Sequence, residues 1–467
     1  MLKPRRHLEL LPYQHTGVDF ITEHRRGNLF AGMGMGKTIA ALMASDCISL
    51  LEQQRPTLIL GPLRVARDTW PDEAHKWDAF KHIEIQPITG DKRQRLAALN
   101  KDRQFFSTNY EQLPWLVHEW MERWPYANVI ADESTRLKNF RTKQGGMRAH
   151  SLARVAHTLV KRWVNLTGTP VPNGLKDLWG QMWYIDKGAR LGTTYTAYME
   201  RWFGRGYDGV VRPFPHAHKE ITNLIKDVSL TLDPKDYFDL REPIVRQIRV
   251  KLPDEARKLY DEMENEMFIK LQDMTEIEAL NSLSLTSKLQ QLANGAIYAP
   301  APNWKQVHDA KLEALESIES EANGMPLLVA YQFKSDLERI RKAFPKSVLL
   351  SEPKGMAAFK AGDSPMGLAH PASMGHGIDG LQEITNILVR FGHDWNHEHR
   401  AQMLERIGPM RQLQSKMDRN VFVFDIVAED TIDLDVIESH EAKRSAQEQL
   451  LLACKRRKDA HTDELAA

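Results

Sequence analysis

The chain has 467 residues, of which 42% are hydrophobic and 27% are charged. This is an ordinary balance for a globular protein with a sizeable core, and at about 150 residues per domain it allows roughly three domains. The 63 basic and 62 acidic residues leave a formal net charge of +1. Global charge therefore neither favours nor excludes a nucleic-acid partner, and any DNA-binding surface must come from local segregation of charge.

Cysteine content and the absence of long apolar runs narrow the class further. The two cysteines, Cys47 and Cys454, exclude a disulfide framework and a cysteine-based zinc site. The basic N-terminus has no apolar run of signal-peptide type behind it, and no stretch approaches the about 18 apolar residues that span a membrane. We therefore expect a cytoplasmic protein that does not associate with membranes.

Short apolar runs alternate with helix-like segments through the first part of the chain. This alternation predicts βαβ units and a parallel sheet, in which ligands bind beyond the carboxyl ends of the strands. The strand-like runs are 28–31, 57–60, 105–106, 128–131 and 163–166.

The pattern breaks at about residue 190 and returns after residue 252. Residues 191–252 are rich in aromatic residues, glycine and proline, which indicates an insertion and linker. Further strand-like runs at 326–330, 348–350, 387–390 and 420–424 predict a second α/β unit. The predicted organisation is thus a first unit (1–190), the insertion, a second unit (253–437) and a polar helical tail (438–467).

A glycine-rich turn between a strand and a helix predicts a phosphate-binding loop. The segment from Ala31 to Thr38 keeps Gly34, Gly36, Lys37 and Thr38, although a strict Walker A motif begins with glycine instead of Ala31. The glycines let backbone N–H groups point at phosphate oxygens, and the helix N-terminus adds a positive dipole. Lys37 would neutralise the β- and γ-phosphates, and the Thr38 hydroxyl would bind Mg²⁺.

An apolar strand that ends in two carboxylates supplies the acidic partner. Phosphoryl transfer to water requires an acid that holds the metal and a group that orients the water. Asp132 fits the Mg²⁺ role and Glu133 the role of base or water-positioning residue. Successive side chains on a strand point to opposite faces, but a turn at the strand end can bring both toward the phosphates.

With both ATP motifs in place, nearly the whole chain resembles superfamily-two helicases, and among them the Swi/Snf-like DNA translocases. The segments that carry the resemblance are Leu11–Val18, Leu58–Leu63, Asp132–Asn139, Leu166–Asn173, Pro326–Gln332, His370–Asp379, Asp394–Asn396 and Gln402–Ile407. The resemblance implies an α/β fold of two RecA-like parallel-sheet lobes, helicase ATP-binding and helicase C-terminal, with an inserted helical or irregular segment between them. The resemblance implies that the chain is a compact bacteriophage or prokaryotic member of the family, located in the host cytoplasm if it is phage-encoded.

The resemblance also implies residue roles. Gln14 would read adenine, and Arg406 and Arg411 of the second lobe would respond to the γ-phosphate, so that ATP binding closes a cleft and hydrolysis reopens it. Candidate contacts to the DNA backbone are Arg64, Thr108, Asn109 and Ser373, and candidate coupling residues are Thr167, Gly168, Thr169, Asp379 and Gln402. Hydroxyls, amides and cations hold phosphate without reading sequence, so we expect weak sequence preference and strong salt dependence.

Two departures from the family pattern affect motif residues, and a third is the short segment between Gln332 and His370, which predicts a trimmed second lobe. Ser134 and Thr135 replace the family's Ala-His, so any coupling role of that histidine is absent or supplied elsewhere. In the last motif Pro409 stands where a second arginine is expected three residues after Arg406, and Arg411 is the nearest arginine.

The leading interpretation is a monomeric DNA-dependent ATPase that uses ATP and Mg²⁺ to translocate on DNA, with duplex favoured over single-stranded DNA. A strand-separating helicase on DNA or RNA and an ATP-regulated clamp with slow turnover remain alternatives. Trp202 and Phe203 are candidates for a DNA wedge. The histidines at 393, 397 and 399 make a metal site conceivable, although their spacing matches no known ligand pattern.

Overall fold

The computed structural model of the chain describes residues 6–32, 34–52, 56–142, 147–168, 170–171, 174–206, 211–272, 283–298, 303–374, 379–417 and 419–441. The chain divides into two compact units, Met1–Asp239 and Leu240–Ala467. No helix in these described ranges is both long enough and apolar enough to cross a membrane.

The first unit is built on a parallel sheet. Its strands and those of a small hairpin are β1 (Arg26–Ala31), β2 (Thr57–Gly61), β3 (Ile85–Pro87), β4 (Phe105–Asn109), β5 (Asn128–Asp132), β6 (Arg162–Thr167), β7 (Phe203–Arg205), β8 (Val211–Pro213) and β9 (Ser229–Leu232). Seven of them form one sheet in the order β3-β4-β2-β5-β6-β1-β9, and every pairing is parallel. All carboxyl ends therefore meet at one edge of the sheet, where ligands bind in this class of fold.

Helices cover the sheet of the first unit. They are α1 (Pro12–Glu23), α2 (Lys37–Leu51), α3 (Trp70–Lys76), α4 (Lys92–Leu99), α5 (Leu113–Trp120), α6 (Met147–Ala156), α7 (Leu178–Asp186), α8 (Tyr195–Trp202) and α9 (Ala217–Ile225). The strands β2, β4 and β5 are buried almost throughout, as expected of a parallel sheet with both faces covered. One large core cluster joins them to aromatic residues of α7, including Trp179, Trp183 and Tyr184.

The second unit repeats this plan. Its strands are β10 (Ile244–Val250), β11 (Ala296–Tyr298), β12 (Trp304–Gln306), β13 (Leu327–Ala330), β14 (Val348–Leu349), β15 (Met366–Ala369), β16 (Ile387–Arg390) and β17 (Phe422–Ala428). Six of them form a parallel sheet in the order β10-β17-β16-β13-β15-β14, while β11 and β12 pair as an antiparallel hairpin. The predicted fold of two parallel-sheet α/β units is confirmed.

The helices of the second unit are α10 (Asp254–Gln272), α11 (Leu283–Asn294), α12 (Ala310–Glu321), α13 (Lys334–Ala343), α14 (Pro353–Ala361), α15 (Pro371–Met374), α16 (Leu381–Ile384), α17 (His397–Glu405), α18 (Pro409–Gln414) and α19 (Ile432–Glu441). A buried ion pair ties α12 to α19, with Lys311 Nζ 2.6 Å from Asp433 Oδ2 and both side chains almost fully buried. The same ammonium donates to Asn294 Oδ1 at the end of α11 and to the carbonyl of Phe391, which follows β16. One buried charge therefore links four parts of the second unit.

The segment 191–252 differs from the predicted insertion and linker, because it supplies a strand to each sheet. β9 pairs with β1 in the first unit and β10 pairs with β17 in the second. Earlier in the segment, Trp202 is fully buried and its indole donates a hydrogen bond of 3.0 Å to Glu220 Oε2, and Phe203 is only 6% exposed. The proposal of an inserting DNA wedge from Trp202 and Phe203 is not supported, since both rings belong to the core of the first unit.

Candidate nucleotide site and nucleic-acid interface

The loop that joins β1 to α2 has the backbone conformation of a phosphate cradle. Gly34 and Gly36 have φ angles of 82° and 74°, a left-handed region that side chains with a Cβ rarely occupy. Gly36 is also the N-cap of α2, so the first turn of the helix, whose N–H groups have no acceptor within the helix itself, begins at the loop. This geometry is the one that binds phosphate at a helix N-terminus.

The lysine of this loop lies folded over the loop's own backbone. Lys37 Nζ donates to the carbonyl oxygens of Ala31 and Gly32 at 2.6 and 3.2 Å. Thr38 follows in the first turn of α2, half-buried. Phosphate oxygens carry more negative charge than carbonyl oxygens, so the ammonium can exchange these backbone acceptors for a stronger partner.

Gln14 lies against the phosphate loop, although it is far from it in sequence. It is buried in α1, and its Oε1 accepts a hydrogen bond of 2.9 Å from the Leu11 backbone N–H. A Cβ on Gly36 would collide with the side-chain nitrogen of Gln14. Glycine at position 36 thus serves the loop conformation and also leaves space for Gln14.

Asp132 ends β5 at the same edge of the sheet. Its carboxylate accepts from the Trp70 indole at 2.9 Å and from the Glu133 backbone N–H at 3.0 Å, and the Tyr110 hydroxyl donates to its carbonyl oxygen. Burial raises the pKa of Asp132, opposed by the Trp70 hydrogen bond and by the positive charge of Lys37. A buried carboxylate beside a cationic loop is a suitable ligand for Mg²⁺, because a divalent cation offsets the cost of burying the negative charge.

Glu133 adopts an unusual backbone conformation. Its φ and ψ angles of 52° and 54° are left-handed, which costs a residue with a Cβ roughly 1–2 kcal/mol. Because this turn ends the strand alternation at Asp132, Glu133 is not directed to the opposite face by the pleat of β5. Strain of this kind is concentrated at functional sites.

Ser134, one of the two departures from the family pattern, belongs to a buried hydrogen-bond relay. Its hydroxyl donates to Gln181 Oε1 at 2.8 Å, and Gln181 Nε2 donates to the carbonyl oxygens of Pro170 and Asp177 at 2.7 and 3.1 Å. Pro170 follows the candidate coupling residues Thr167, which is buried at the end of β6, and Gly168. The third coupling candidate of that loop, Thr169, lies outside the described residues.

The candidates for DNA contact fall in different environments. Arg64, just after β2, and Ser373, in α15, are exposed. Thr108 is fully buried and its hydroxyl donates to the Ile88 carbonyl at 2.9 Å. Asn109 is 4% exposed and donates to Glu111 Oε2 at 2.8 Å.

The prediction of a DNA contact from Thr108 is therefore not supported, since neither its surface nor its hydroxyl hydrogen is available. Asn109 retains one carbonyl oxygen, Oδ1, with no hydrogen-bond partner in the described part of the chain. A DNA contact from Asn109 stays a prediction, as do the contacts from Arg64 and Ser373. The Ser373 hydroxyl donates to the His370 carbonyl.

In the second unit the candidate residues cluster around α17 and α18. Gln402 is buried and donates to Glu398 Oε1 at 2.8 Å, and Arg406 is the C-cap of α17, 7% exposed. Arg411 Nη1 donates to Asp379 Oδ1 at 2.7 Å. Pro409 is the first residue of α18, a position that proline favours, so a helix begins where the family pattern has its second arginine.

The three histidines at 393, 397 and 399 do not converge on a metal. The rings of His393 and His399 bond to the Ile426 carbonyl and to Asp394 Oδ2 respectively, and His397 faces His440 across 2.8 Å. Within the described ranges, no group of three or more histidine, cysteine or acidic side chains is arranged to hold a metal ion.

A family model described as the SNF2-related domain matches residues 13–297, more than half of the chain. The chain belongs to this family. The SNF2-related match covers α1, the phosphate loop, Asp132, Glu133 and the loop after β6. The family membership inferred from the motifs is confirmed, and with it a helicase-like ATPase domain.

Proteins of known sequence or known structure are similar to this chain. The chain is 49% identical over 455 residues to the putative protein p41 of Acyrthosiphon pisum secondary endosymbiont phage 1, covering 96% of this chain and 98% of that protein. It is 30% identical over 203 residues to the zebrafish (Danio rerio) DNA excision repair protein ERCC-6-like, covering 40% of this chain and only 13% of that protein. The Hef helicase domain of Pyrococcus furiosus has the same fold, with a TM-score of 0.51 and 12% identity over 94% of this chain and 98% of that domain.

Several contacts within the site could not be predicted from sequence motifs. Trp70, Tyr110 and Gln181 reach Asp132 and Ser134 across 62, 22 and 47 residues of sequence. Gln181 has one sequence signal, since it is the polar residue inside the apolar segment Leu178–Ile185 of α7. Trp70 lies in the helix that continues the family segment Leu58–Leu63, but that segment does not indicate a contact with Asp132, and Tyr110 carries no sequence signal.

Proposed function

We propose that this protein is a DNA-dependent ATPase that uses ATP hydrolysis to translocate along DNA. The observation that carries the proposal is the convergence, within one unit, of Gln14 on Gly36 and of the charge of Lys37 on Asp132. A base-reading amide, a phosphate loop and a buried carboxylate at one sheet edge together fit a nucleoside triphosphate.

In this proposal the residues of the first unit divide the work. Gly34, Gly36 and the first turn of α2 hold the phosphates, and Lys37 moves its ammonium from the loop carbonyls to the β- and γ-phosphates. Thr38 and Asp132 would hold Mg²⁺, which when bound neutralises charge on the phosphate oxygens. Glu133, held in its left-handed turn, orients the attacking water and accepts its proton.

Arginines of the second unit complete the proposed mechanism. Arg406 is assigned as the finger that stabilises negative charge on the transferred phosphoryl group, an effect worth about 10³–10⁵ in rate where it has been measured. Arg411 is assigned to the coupling of ATP state to DNA binding, because its guanidinium already pairs with Asp379, a candidate for the same role.

The relay from Ser134 through Gln181 to Pro170 supports coupling to a nucleic acid. It joins the turn after the catalytic carboxylates to the loop after β6 through buried hydrogen bonds. A change at Glu133 on hydrolysis can therefore alter that loop without a histidine. DNA is proposed as the partner because the ERCC-6-like relative is named as a DNA repair protein, and Arg64, Asn109 and Ser373 are the proposed backbone contacts.

The test compares ATPase rates on duplex DNA, single-stranded DNA and RNA, paired with displacement of a triplex-forming strand from duplex DNA. The proposal predicts strongest stimulation by duplex DNA and ATP-dependent triplex displacement. Stimulation by RNA above DNA overturns the choice of partner. Stimulation without displacement, or unwinding of a forked duplex in place of displacement, overturns translocation on duplex and favours a clamp or a strand-separating helicase.

A further inference from the structure

The chain beyond β9 turns back over the start of the phosphate loop. β9 lies beside β1 at the edge of the sheet, and a Cβ on Gly32 would lie 2.8 Å from Pro234 Cγ. The turn is well formed, since Asp233 Oδ1 accepts from the Lys235 N–H at 3.0 Å and the Pro234 carbonyl accepts from the N–H groups of Tyr237 and Phe238. Residues 233–238 therefore have a fixed position next to the loop.

Three aromatic rings meet where this turn reaches α1. The ring of Tyr13 lies 5.1 Å from that of Tyr237 and 5.7 Å from that of Phe238, measured between centroids. Both separations fall in the range of favourable aromatic pairs. Tyr13 is 3% exposed, whereas Tyr237 is 45% exposed. The buried ring and Phe238 thus support an outer ring that leaves much of its surface open to solvent.

The contact with Tyr13 relates the exposed ring of Tyr237 to Gln14. Tyr13 immediately precedes Gln14, whose side-chain nitrogen lies against Gly36. The exposed ring therefore packs on the neighbour of the residue that the family resemblance assigns to adenine, and Pro234 of the same turn lies against Gly32 of the loop assigned to phosphate. Single exposed apolar side chains are common and mean little alone. Here the ring belongs to a turn that contacts both of the elements that define the proposed nucleotide site.

We propose that Tyr237 is the stacking platform for the purine base of the nucleotide, with Gln14 directed at the hydrogen-bonding edge of that base. This inference rests on the proposed function, since it assumes that ATP binds the phosphate loop. Every base has an aromatic face, so stacking on Tyr237 strengthens binding without selecting a base, while the amide of Gln14 selects adenine. The segment after the first sheet thereby becomes part of the nucleotide site.

The test measures equilibrium binding of ATP and of inorganic tripolyphosphate, both with Mg²⁺, to the full chain and its variants. Tyr237→Ala is expected to weaken ATP binding about tenfold, which corresponds to about 1.4 kcal/mol, and to leave tripolyphosphate binding within about twofold. Tyr237→Phe keeps the ring and is expected to bind ATP as the wild type does. Phe214→Ala removes another exposed ring of the same unit, 37% exposed, and is the matched control with unchanged binding.

Two results overturn the stacking role while the proposed function stands. One is wild-type affinity for ATP in Tyr237→Ala. The other is an equal loss of affinity for ATP and tripolyphosphate, which would mean that the substitution distorts the phosphate loop. A wild-type protein that binds neither ATP nor tripolyphosphate overturns the proposed function and the stacking role together.

Discussion

The indole nitrogen of Trp70 donates a 2.9 Å hydrogen bond to Oδ2 of Asp132, and both side chains are buried. The bond joins the first residue of α3 to the last residue of β5, so it fixes the carboxylate at the edge of the sheet where the phosphate loop also lies. It also lowers the pKa of Asp132, in opposition to burial, which raises it.

Trp70→Phe is expected to raise the pKa of Asp132, because it removes the hydrogen bond and retains the burial. The acid limb of the pH profile of kcat/KM for DNA-stimulated ATP hydrolysis should move to higher pH, and the Mg²⁺ concentration for half-maximal rate should rise. Trp77→Phe is the matched control, since its indole donates to Glu73 on the same stretch of chain, at 2.8 Å. An acid limb that stays at its wild-type position in Trp70→Phe contradicts this role of the indole.

Asp132→Asn is expected to stabilise the folded protein at neutral pH while abolishing ATP hydrolysis. Burial raises the folded-state pKa of Asp132 above its unfolded value, so its stabilising contribution is complete below the unfolded pKa and is lost as pH rises through the folded pKa. An uncharged amide avoids that loss and can still accept from Trp70. Tm should rise by about 2–4 °C for each kcal/mol regained.

Scanning calorimetry without nucleotide at neutral pH and again near pH 4 measures this effect. The difference in Tm between Asp132→Asn and wild type should shrink at the lower pH, where a larger share of the wild-type carboxyl is protonated. A variant that melts below the wild type at neutral pH would show that the carboxylate is a net stabiliser of the fold.

Ser134→Ala is expected to lower DNA-stimulated ATP hydrolysis more than basal hydrolysis. The substitution breaks the relay to Pro170 at its first bond and leaves Gln181 Oε1 buried without its donor, at a cost of about 1–3 kcal/mol. Rates are measured with and without duplex DNA at a temperature well below Tm. Ser151→Ala serves as control, because the Ser151 hydroxyl donates to a carbonyl of its own helix. Equal losses of basal and stimulated rates would make the relay purely structural.

Lys311→Met is expected to destabilise the second unit by about 3–5 kcal/mol, because it leaves Asp433 charged, buried and unpaired. The double variant Lys311→Met with Asp433→Asn should lose less than the sum of the two single losses, since neither charge then remains. Urea unfolding monitored by circular dichroism gives both quantities. A single variant within about 1 kcal/mol of wild type would mean that the pair contributes little.

The sequence predicted the residues that act through local backbone geometry. Gly34, Gly36 and Lys37 follow one another, so their spacing carried the information, and the carboxyl ends of parallel strands placed Asp132 at the same edge. Gln14 was found through the family motif only, because nothing in α1 indicates that it meets Gly36.

Contacts between distant residues could not be predicted in the same way. The strands β9 and β10 are short or exposed, and they lie in a segment rich in proline and aromatic residues that resembles a linker. Thr108 was predicted to contact DNA because hydroxyl groups bind phosphate, but the side chain is buried and its hydroxyl donates to the Ile88 carbonyl. Tyr237 and Gln181 gain their roles only when the chain folds them against Tyr13 and Ser134.

The most direct test of the central claim is steady-state ATP hydrolysis by the wild type and by Lys37→Ala and Glu133→Gln, with and without duplex DNA. The account predicts a wild-type rate that rises on addition of DNA and falls as salt is increased, and the loss of that stimulated rate by at least about 10²-fold in each variant. Hydrolysis by the wild type that DNA does not stimulate, or stimulation that survives in Lys37→Ala, would contradict it.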